Sequence, residues 1–506
     1  MGLFEVLQKR VSNNSGIYYK REGSVKYIDY KSFFSIIKNI SNYFLKVGIR
    51  KNDRVAIMLN NSPEWLALHL ACLKIGAVVV PIHYDLPLSN AREIIEDSNA
   101  KFIFSDKEEQ FGIKNINVGL CKTLEESFKS FVAKEQVKIR KISDESLATI
   151  CYTSGSTGKP KGAVITHKNI LFVLKNQPFY VEPNDRFLSF LPLSHLFELV
   201  CSNYNCIYRN ANICFAEGIK QISENAEEYK PTILTTVPLL LEKVHNKVFE
   251  KKINKILINI GLSKFVGFQL KKKLGGKLKF IVTGGAPLAE NILGFYDKLG
   301  VNVFQGYGLT EASPLVATNF LGSNKIGSVG KPIEGVDAKI GENGTLLIKT
   351  PGLLREYTKK GEKEKRMING YFDTGDIAHI DNEGYIFING RNDELIVMNN
   401  GKKVYPQPIE KKIESFGISS SLIYGNGRDY LTAFIYHGEK DFNTISRIIE
   451  KVNFDLPNHA KIKKFALIDS EFSLSDGTLT ATLKKRRNNI VKKYKGVIDG
   501  LYEKKD

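Results

Sequence analysis

Apolar positions in the first hundred residues follow two alternating periods. Phe34, Ile37, Ile40 and Phe44 recur at helical spacing, which predicts a helix over about 25–50 that stops at Gly48. Residues 54–59, 77–82 and 101–105 are short, nearly unbroken apolar runs and predict buried strands. Between them, Ser62-Pro63 supplies a cap and a first-turn proline for a helix to about Lys74, stopped by Gly76, and another helix begins at Ser89. Strand alternating with helix predicts a doubly wound, mostly parallel α/β sheet. The same pattern returns at 147–152, 187–198, 230–244, 280–287 and 301–312. Residues 327–351, with strands punctuated by Gly and Pro, predict a small β-subdomain. The last hundred residues predict a small α+β domain, with strands at 421–424 and 431–436 and a helix at 442–452. Residues 1–390 and 391–506 are therefore expected as a large N-terminal and a smaller C-terminal domain. The lysine-rich stretch 245–278 reads as a solvated helical hairpin with the least functional information.

Composition narrows the picture moderately. A chain of 506 residues, 42% hydrophobic and 25% charged, has the makeup of a soluble globular protein of two or more domains. The formal net charge of +19 is unusual for an enzyme. It fits either a Lys/Asn/Ile-rich coding bias or attraction to an anionic partner: nucleotide, CoA, membrane lipid or nucleic acid. The six cysteines form no C-x-x-C pair, and Cys201, Cys206 and Cys214 lack zinc-site spacing, so incidental thiols in a reducing compartment are expected. The N-terminus shows no signal-peptide pattern, Val6 breaks the myristoylation pattern of the Met-Gly start, and no uncharged run is long enough to span a bilayer. The expected location is cytoplasmic.

Candidate chemistry lies at the ends of the expected strands. The loop 152–162 (Tyr-Thr-Ser-Gly-Ser-Thr-Gly-Lys-Pro-Lys-Gly) combines glycines, the hydroxyls of Thr153, Ser154, Ser156 and Thr157, and Lys159 and Lys161. Glycines allow backbone N–H groups to curl around an anion. The loop reads as a triphosphate cradle or as a solvated Gly/Ser/Thr loop. It is not a Walker-type P-loop: with Gly158-Lys159 in register, Thr153 stands at the first glycine and Pro160 at the final hydroxyl. Further on, 280–287 ends in Gly284-Gly285-Ala286, and 301–312 ends in Gly-Tyr307-Gly308-Leu-Thr310-Glu311. Two glycine-bearing strand ends suit a flat ligand beside Tyr307, or are two tight turns. Asp376 sits in a glycine-flanked turn, followed by Arg391, Asp393, the loop around Gly401, and the basic run at Lys484.

These motifs, in this order over about residues 25–495, closely resemble those of the adenylate-forming superfamily, and in particular the long-chain fatty acid–CoA ligases. The carriers are the 152–162 loop, Leu-Pro-Leu-Ser-His195-Leu-Phe-Glu, Gly-Tyr-Gly-Leu-Thr-Glu, Asp376, Arg391-Asn-Asp393 and Thr-Leu-Lys484-Lys-Arg. The resemblance implies that Thr153, Ser154, Gly155, Ser156, Thr157, Gly158 and Lys159 hold the phosphates of ATP. It implies that Gly284, Gly285, Ala286, Tyr307 and Gly308 flank the adenine, with Thr310 at the α-phosphate and Mg²⁺ on Glu311. Asp376 and Arg391 would meet the nucleotide, His195 would lie near the reacting carboxylate, and Lys484 would be the catalytic lysine. Asp393 would be the hinge of a mobile C-terminal domain that brings Gly401 to the CoA tunnel. The reaction implied is activation of a fatty acid to acyl-AMP, then transfer to CoA. Acyl-carrier protein as acceptor, or an aryl or shorter acid as substrate, keeps the same chemistry. The basic surface would suit peripheral membrane contact. A nucleic-acid-binding protein is disfavoured, because the basic residues are dispersed and no nucleic-acid motif accompanies them.

Overall fold

The computed structural model describes the chain apart from residues 110, 132–140, 155–159, 251, 439, 474, 481–483 and 504–506, and gives the backbone alone of 153, 154, 160, 250, 252 and 255. Its fold is α/β, with a large N-terminal part and a smaller C-terminal unit.

Two broad sheets form the N-terminal part. The seven-stranded sheet has a parallel centre, in which Arg54–Met58 lies between Val78–Pro81 and Phe102–Ser105. The nine-stranded sheet has a parallel centre of Arg186–Ser189, Asn212–Phe215, Ile233–Thr236, Phe280–Thr283 and Val303–Tyr307, with antiparallel strands toward both edges. Strands buried on both faces read as continuous apolar runs for this reason. The helices behave as their caps predict. Tyr30–Val47 ends at Gly48 in the left-handed region. Pro63–Ile75 starts with the Ser62 hydroxyl accepting from the Trp65 N–H and ends at left-handed Gly76.

The smaller β-subdomain is a five-stranded sheet built on Tyr371–Ile380. The C-terminal unit has a three-stranded sheet, Ser420–Tyr424, Leu431–Tyr436 and Ile462–Ile468, packed with the helices Pro406–Glu414 and Phe442–Phe454. The sequence pattern picks out the first two of these strands and misses the third.

Two other elements differ from expectation. The segment after His195 is a π-helix, Phe197–Tyr204, with all but its first residue buried. Residues 245–278 do contain a helical hairpin, Lys252–Asn259 and Ser263–Lys273, yet its outer side is not the polar face that solvation would favour: Ile253, Ile256, Phe265 and Phe268 are each more than half exposed. Among the described residues, no helix is long and apolar enough to cross a membrane.

Candidate active site

The parallel strands of the nine-stranded sheet end together at a cavity of about 640 Å³, within the ~300–1,000 Å³ typical of small-molecule sites. Its wall is apolar along Phe179, Phe190, Leu191, Leu196, Phe197 and Val282, and polar where Gly306–Thr310 and Lys484 meet it. Strand ends are where open α/β sheets bind ligands. Here the apolar compartment and the polar end are one continuous space.

Tyr307 closes the strand Val303–Tyr307, and its hydroxyl donates to Asp376 Oδ2. The neighbouring Gly308 is required by packing, since a Cβ there would fall 1.6 Å from the Pro314 carbonyl oxygen. Asp376 is buried, and that burial pushes its carboxyl above the ordinary range against the opposing pull of Arg391, 3.6 Å away, and of the Tyr307 hydroxyl. Arg391 stands opposite Asp376 in the sheet and also donates to Asp393 at 2.9 Å. Tyr307, Asp376, Arg391 and Asp393 thus form one connected polar cluster.

Thr310 lines the cavity and opens a short 3₁₀ turn. Glu311, next along, is buried; Tyr357 donates to its Oε1 at 2.7 Å, and Arg366 stands 3.5 Å from the same oxygen. Both of these contacts fall on Oε1, and no described residue bonds Oε2, so the donor chemistry of Glu311 suits a hard cation such as Mg²⁺. Tyr357 and Arg366 carry no motif of their own, and only the structure joins them to Glu311.

Lys484 reaches the cavity from the C-terminal unit, accessible from that space. Desolvation by the surrounding protein pulls its ammonium below the usual lysine range, while Asp376 and Glu311 act in the opposite sense. Its backbone is held by Thr480, whose hydroxyl accepts from the Lys484 N–H at 3.0 Å. His195 lines the same cavity. Its ring lies 6.3 Å from that of His83, and its buried Nε2 has no hydrogen-bond partner among the described residues. Burial, with His83 and Lys484 adding to it, drives the His195 pKa down to about 3, so the ring is neutral at pH 7. His83 carries no motif of its own; its place directly after the 77–82 apolar run is the one sequence signal for it. Glu198, three residues past His195, is the other site acid. It accepts from Ser189 Oγ at 2.6 Å and Thr235 Oγ1 at 2.9 Å, and burial pushes its pKa up to about 7.

Gly284 and Gly285 line the cavity, and a Cβ on Gly284 would crowd the Gly306 carbonyl at 3.3 Å. Ala286 follows them without a place in the cavity wall. Gly401 lies at the turn between Ile396–Val397 and Lys403–Val404, in the left-handed region and away from the cavity. Of the expected phosphate cradle, Gly155, Ser156, Thr157, Gly158 and Lys159 lie outside the described residues, and of Thr153 and Ser154 only the backbone is described. That backbone pairs antiparallel, Thr153 opposite Lys161 and Ser154 opposite Pro160. Lys161 forms an ion pair with Glu362 at 2.8 Å.

The profile of a family described as AMP-binding enzyme matches residues 8–358, and that of an AMP-binding enzyme C-terminal domain matches 393–506. The chain is 26% identical to a long-chain-fatty-acid–CoA ligase, FadD15, of Mycobacterium bovis, covering 91% of this chain and 90% of that one. It is 25% identical to human long-chain-fatty-acid–CoA ligase 1, covering 99% of this chain and 86% of the relative. Among solved structures, an anthranilate CoA ligase, AuaEII, in complex with anthranoyl-AMP superposes with a TM-score of 0.82 at 18% identity, covering 99% of this chain and 98% of that one. O-succinylbenzoate coenzyme A synthetase from Bacillus subtilis, in complex with ATP and magnesium ion, gives 0.75 at 21% identity, covering 96% and 98%.

Proposed function

The chain belongs to the AMP-binding enzyme family, and on that premise we propose that it joins a fatty acid to the thiol of CoA in two steps, consuming ATP and releasing AMP and pyrophosphate. The observation that carries this reading is the single cavity in which an apolar compartment opens onto Tyr307, Gly308, Thr310 and Lys484. A carboxylate is a poor electrophile at neutral pH, because its leaving group would be oxide. In the first step its oxygen attacks the α-phosphorus of ATP, the bond to pyrophosphate breaks, and the acid becomes a mixed anhydride. In the second step the sulfur of CoA attacks the acyl carbon, and the C–O bond to AMP breaks. No side-chain nucleophile is needed.

What the protein supplies is position and charge. We assign Tyr307, Gly308, Gly284 and Gly285 to the adenine, and Asp376 with Arg391 to the ribose side of the nucleotide. Thr310 and Lys484 face the reacting phosphate, where negative charge builds. The 153–159 loop is assigned to the β- and γ-phosphates. Bound at Glu311, Mg²⁺ would neutralise charge on the phosphates as pyrophosphate departs. His195, neutral and with Nε2 unpartnered, is suited to hold the carboxylate of the acid. We place the domain boundary at 390/391 and the hinge at Asp393, about which the C-terminal unit withdraws Lys484 and presents the Gly401 turn to CoA.

The test is incubation of the protein with ATP, Mg²⁺ and C6–C18 fatty acids and aryl acids, with and without CoA, reading AMP and thioester by mass spectrometry. Fatty acyl-CoA formed stoichiometrically with AMP is the expected result. Acyl-AMP without CoA thioester would move the acceptor to an acyl-carrier protein, and AMP formation confined to aryl acids would overturn the fatty-acid reading.

A further inference from the structure

The hairpin formed by Lys252–Asn259 and Ser263–Lys273 is apolar on two sides. Its inner side packs into the protein through Leu257, Ile258, Val266, Leu270 and Leu274. Gly267 lets it approach so closely that a Cβ there would lie 1.9 Å from the Leu299 carbonyl oxygen. Its outer side presents Ile253, Ile256, Ile260, Leu262, Phe265 and Phe268, between 49% and 63% exposed. Ile253 and Ile256 share one face of the first helix and Phe265 and Phe268 one face of the second, with Ile260 and Leu262 in the connection between them. Apolar side chains on two sides call for an apolar environment on both, and the outer side has no protein cover among the described residues.

Charge states what the cover is. Residues 251–279 contain nine lysines and no aspartate or glutamate. Lys264, Lys272, Lys273 and Lys277 are exposed and form no ion pair with a described residue. Apolar side chains flanked by lysines match the boundary of an anionic bilayer, where the rings enter the acyl region and the ammonium groups meet lipid phosphates. One helix links the hairpin to the cavity wall. A Cβ on Gly275 at its end would lie 2.3 Å from the Ala226 carbonyl oxygen of the helix Ile222–Tyr229. The residues leading into that helix, Ile219–Gln221, line the cavity, with Ile219 half exposed.

We propose that this hairpin docks the protein on anionic membrane surfaces, setting the mouth of the acyl compartment against the lipid from which its substrate comes. The role in substrate delivery rests on the fatty-acid reading; the docking surface does not. Flotation of the full chain with vesicles of phosphatidylglycerol and phosphatidylcholine, and of phosphatidylcholine alone, tests it. Binding to the anionic vesicles is expected, at least about fivefold weaker on neutral ones and weakened by salt. Ile256→Ser/Phe265→Ser/Phe268→Ser and, separately, Lys264→Gln/Lys272→Gln/Lys273→Gln should each lower the bound fraction at least about fivefold. Both variants should melt as the wild type does and activate octanoate in vesicle-free buffer at the wild-type rate. Variants that still float as well as wild type, or a wild type that ignores anionic vesicles, would overturn the proposal. So would lysine-dependent binding of duplex DNA at about 0.15 M salt with vesicles ignored. If no acid is activated while the vesicle results hold, the docking surface stands and the fatty-acid reading falls.

Discussion

Glu198 illustrates how far a single side chain departs from its exposed behaviour. It sits fully buried in the first turn of the π-helix and receives hydrogen bonds from Ser189, Thr235 and Asn203, which favour the carboxylate. Burial still outweighs them and holds its pKa near 7, against 4.5 for the free side chain. The sign of the linkage follows. An acid whose pKa is raised by folding costs nothing below about pH 4.5 and destabilises progressively up to about pH 7, reaching about 3 kcal/mol. Glu198→Gln removes that titration, and the Thr235 hydroxyl can turn from donor to acceptor to meet the new amide. The stability difference between variant and wild type, read from urea unfolding, is therefore expected to grow by about 3 kcal/mol in favour of Gln between pH 4.5 and 7.5. A difference flat with pH would mean that Glu198 titrates in the folded protein as it does in the unfolded chain. The sequence shows Glu198 as part of a motif but not its three donors, which lie on three separate elements. His83 facing His195 is hidden for the same reason, being 112 positions earlier in the chain. Tyr307, Gly308 and Lys484, by contrast, are legible because short strings of unusual residues mark them.

At the scale of elements, what is local is legible. Ser62, Pro63 and Gly76 delimit a helix through contacts within a few residues. The strand Gly16–Arg21 carries no such signal, because it enters the large sheet by pairing Ile17 with Ile213. The hairpin at 252–273 is legible as helix but not in its outer face, since which side is covered depends on helices far along the chain. Ion pairing between the two units is likewise invisible until the chain folds. Lys411, on Pro406–Glu414, pairs with Glu242, on Pro238–Glu250, at 3.0 Å and with Glu414 at 3.2 Å. Lys485, next to the catalytic candidate, binds Glu414 at 2.6 Å and Glu410 at 2.9 Å. Flanked by two lysines, Glu414 has its pKa lowered to about 2, although burial opposes the shift; Glu242, ion-paired among the described residues with Lys411 alone, is raised by burial. This chain of charges ties the segment bearing Lys484 to the N-terminal part. Removing one partner of a buried pair costs roughly 3–5 kcal/mol, which a rotating unit can relieve by moving away. Glu242→Leu should therefore slow adenylation at least about tenfold while leaving thioester formation from supplied acyl-AMP within about threefold. The exchanged pair Glu242→Lys/Lys411→Glu should recover part of the loss. Stopped-flow assays of the two half-reactions check this; equal loss in both would make the pair a general support of the fold.

For the molecule as a whole, the net charge of +19 is compatible with several anionic partners and identifies none. Its distribution is more telling, with an acid-free stretch of lysines on one hairpin and a separate cluster of Asp376, Arg391 and Lys484 around the cavity. In the proposed reaction that cavity serves both steps, with Lys484 needed for the first. Lys484→Ala, assayed for acid-dependent pyrophosphate release and separately for CoA thioester formation from acyl-AMP, tests this most directly. Loss of a donor aimed at developing charge predicts a fall of about 10²–10³ in the first rate, with the second within about threefold of wild type. Undiminished pyrophosphate release in the Lys484→Ala protein would rule Lys484 out of the adenylation step.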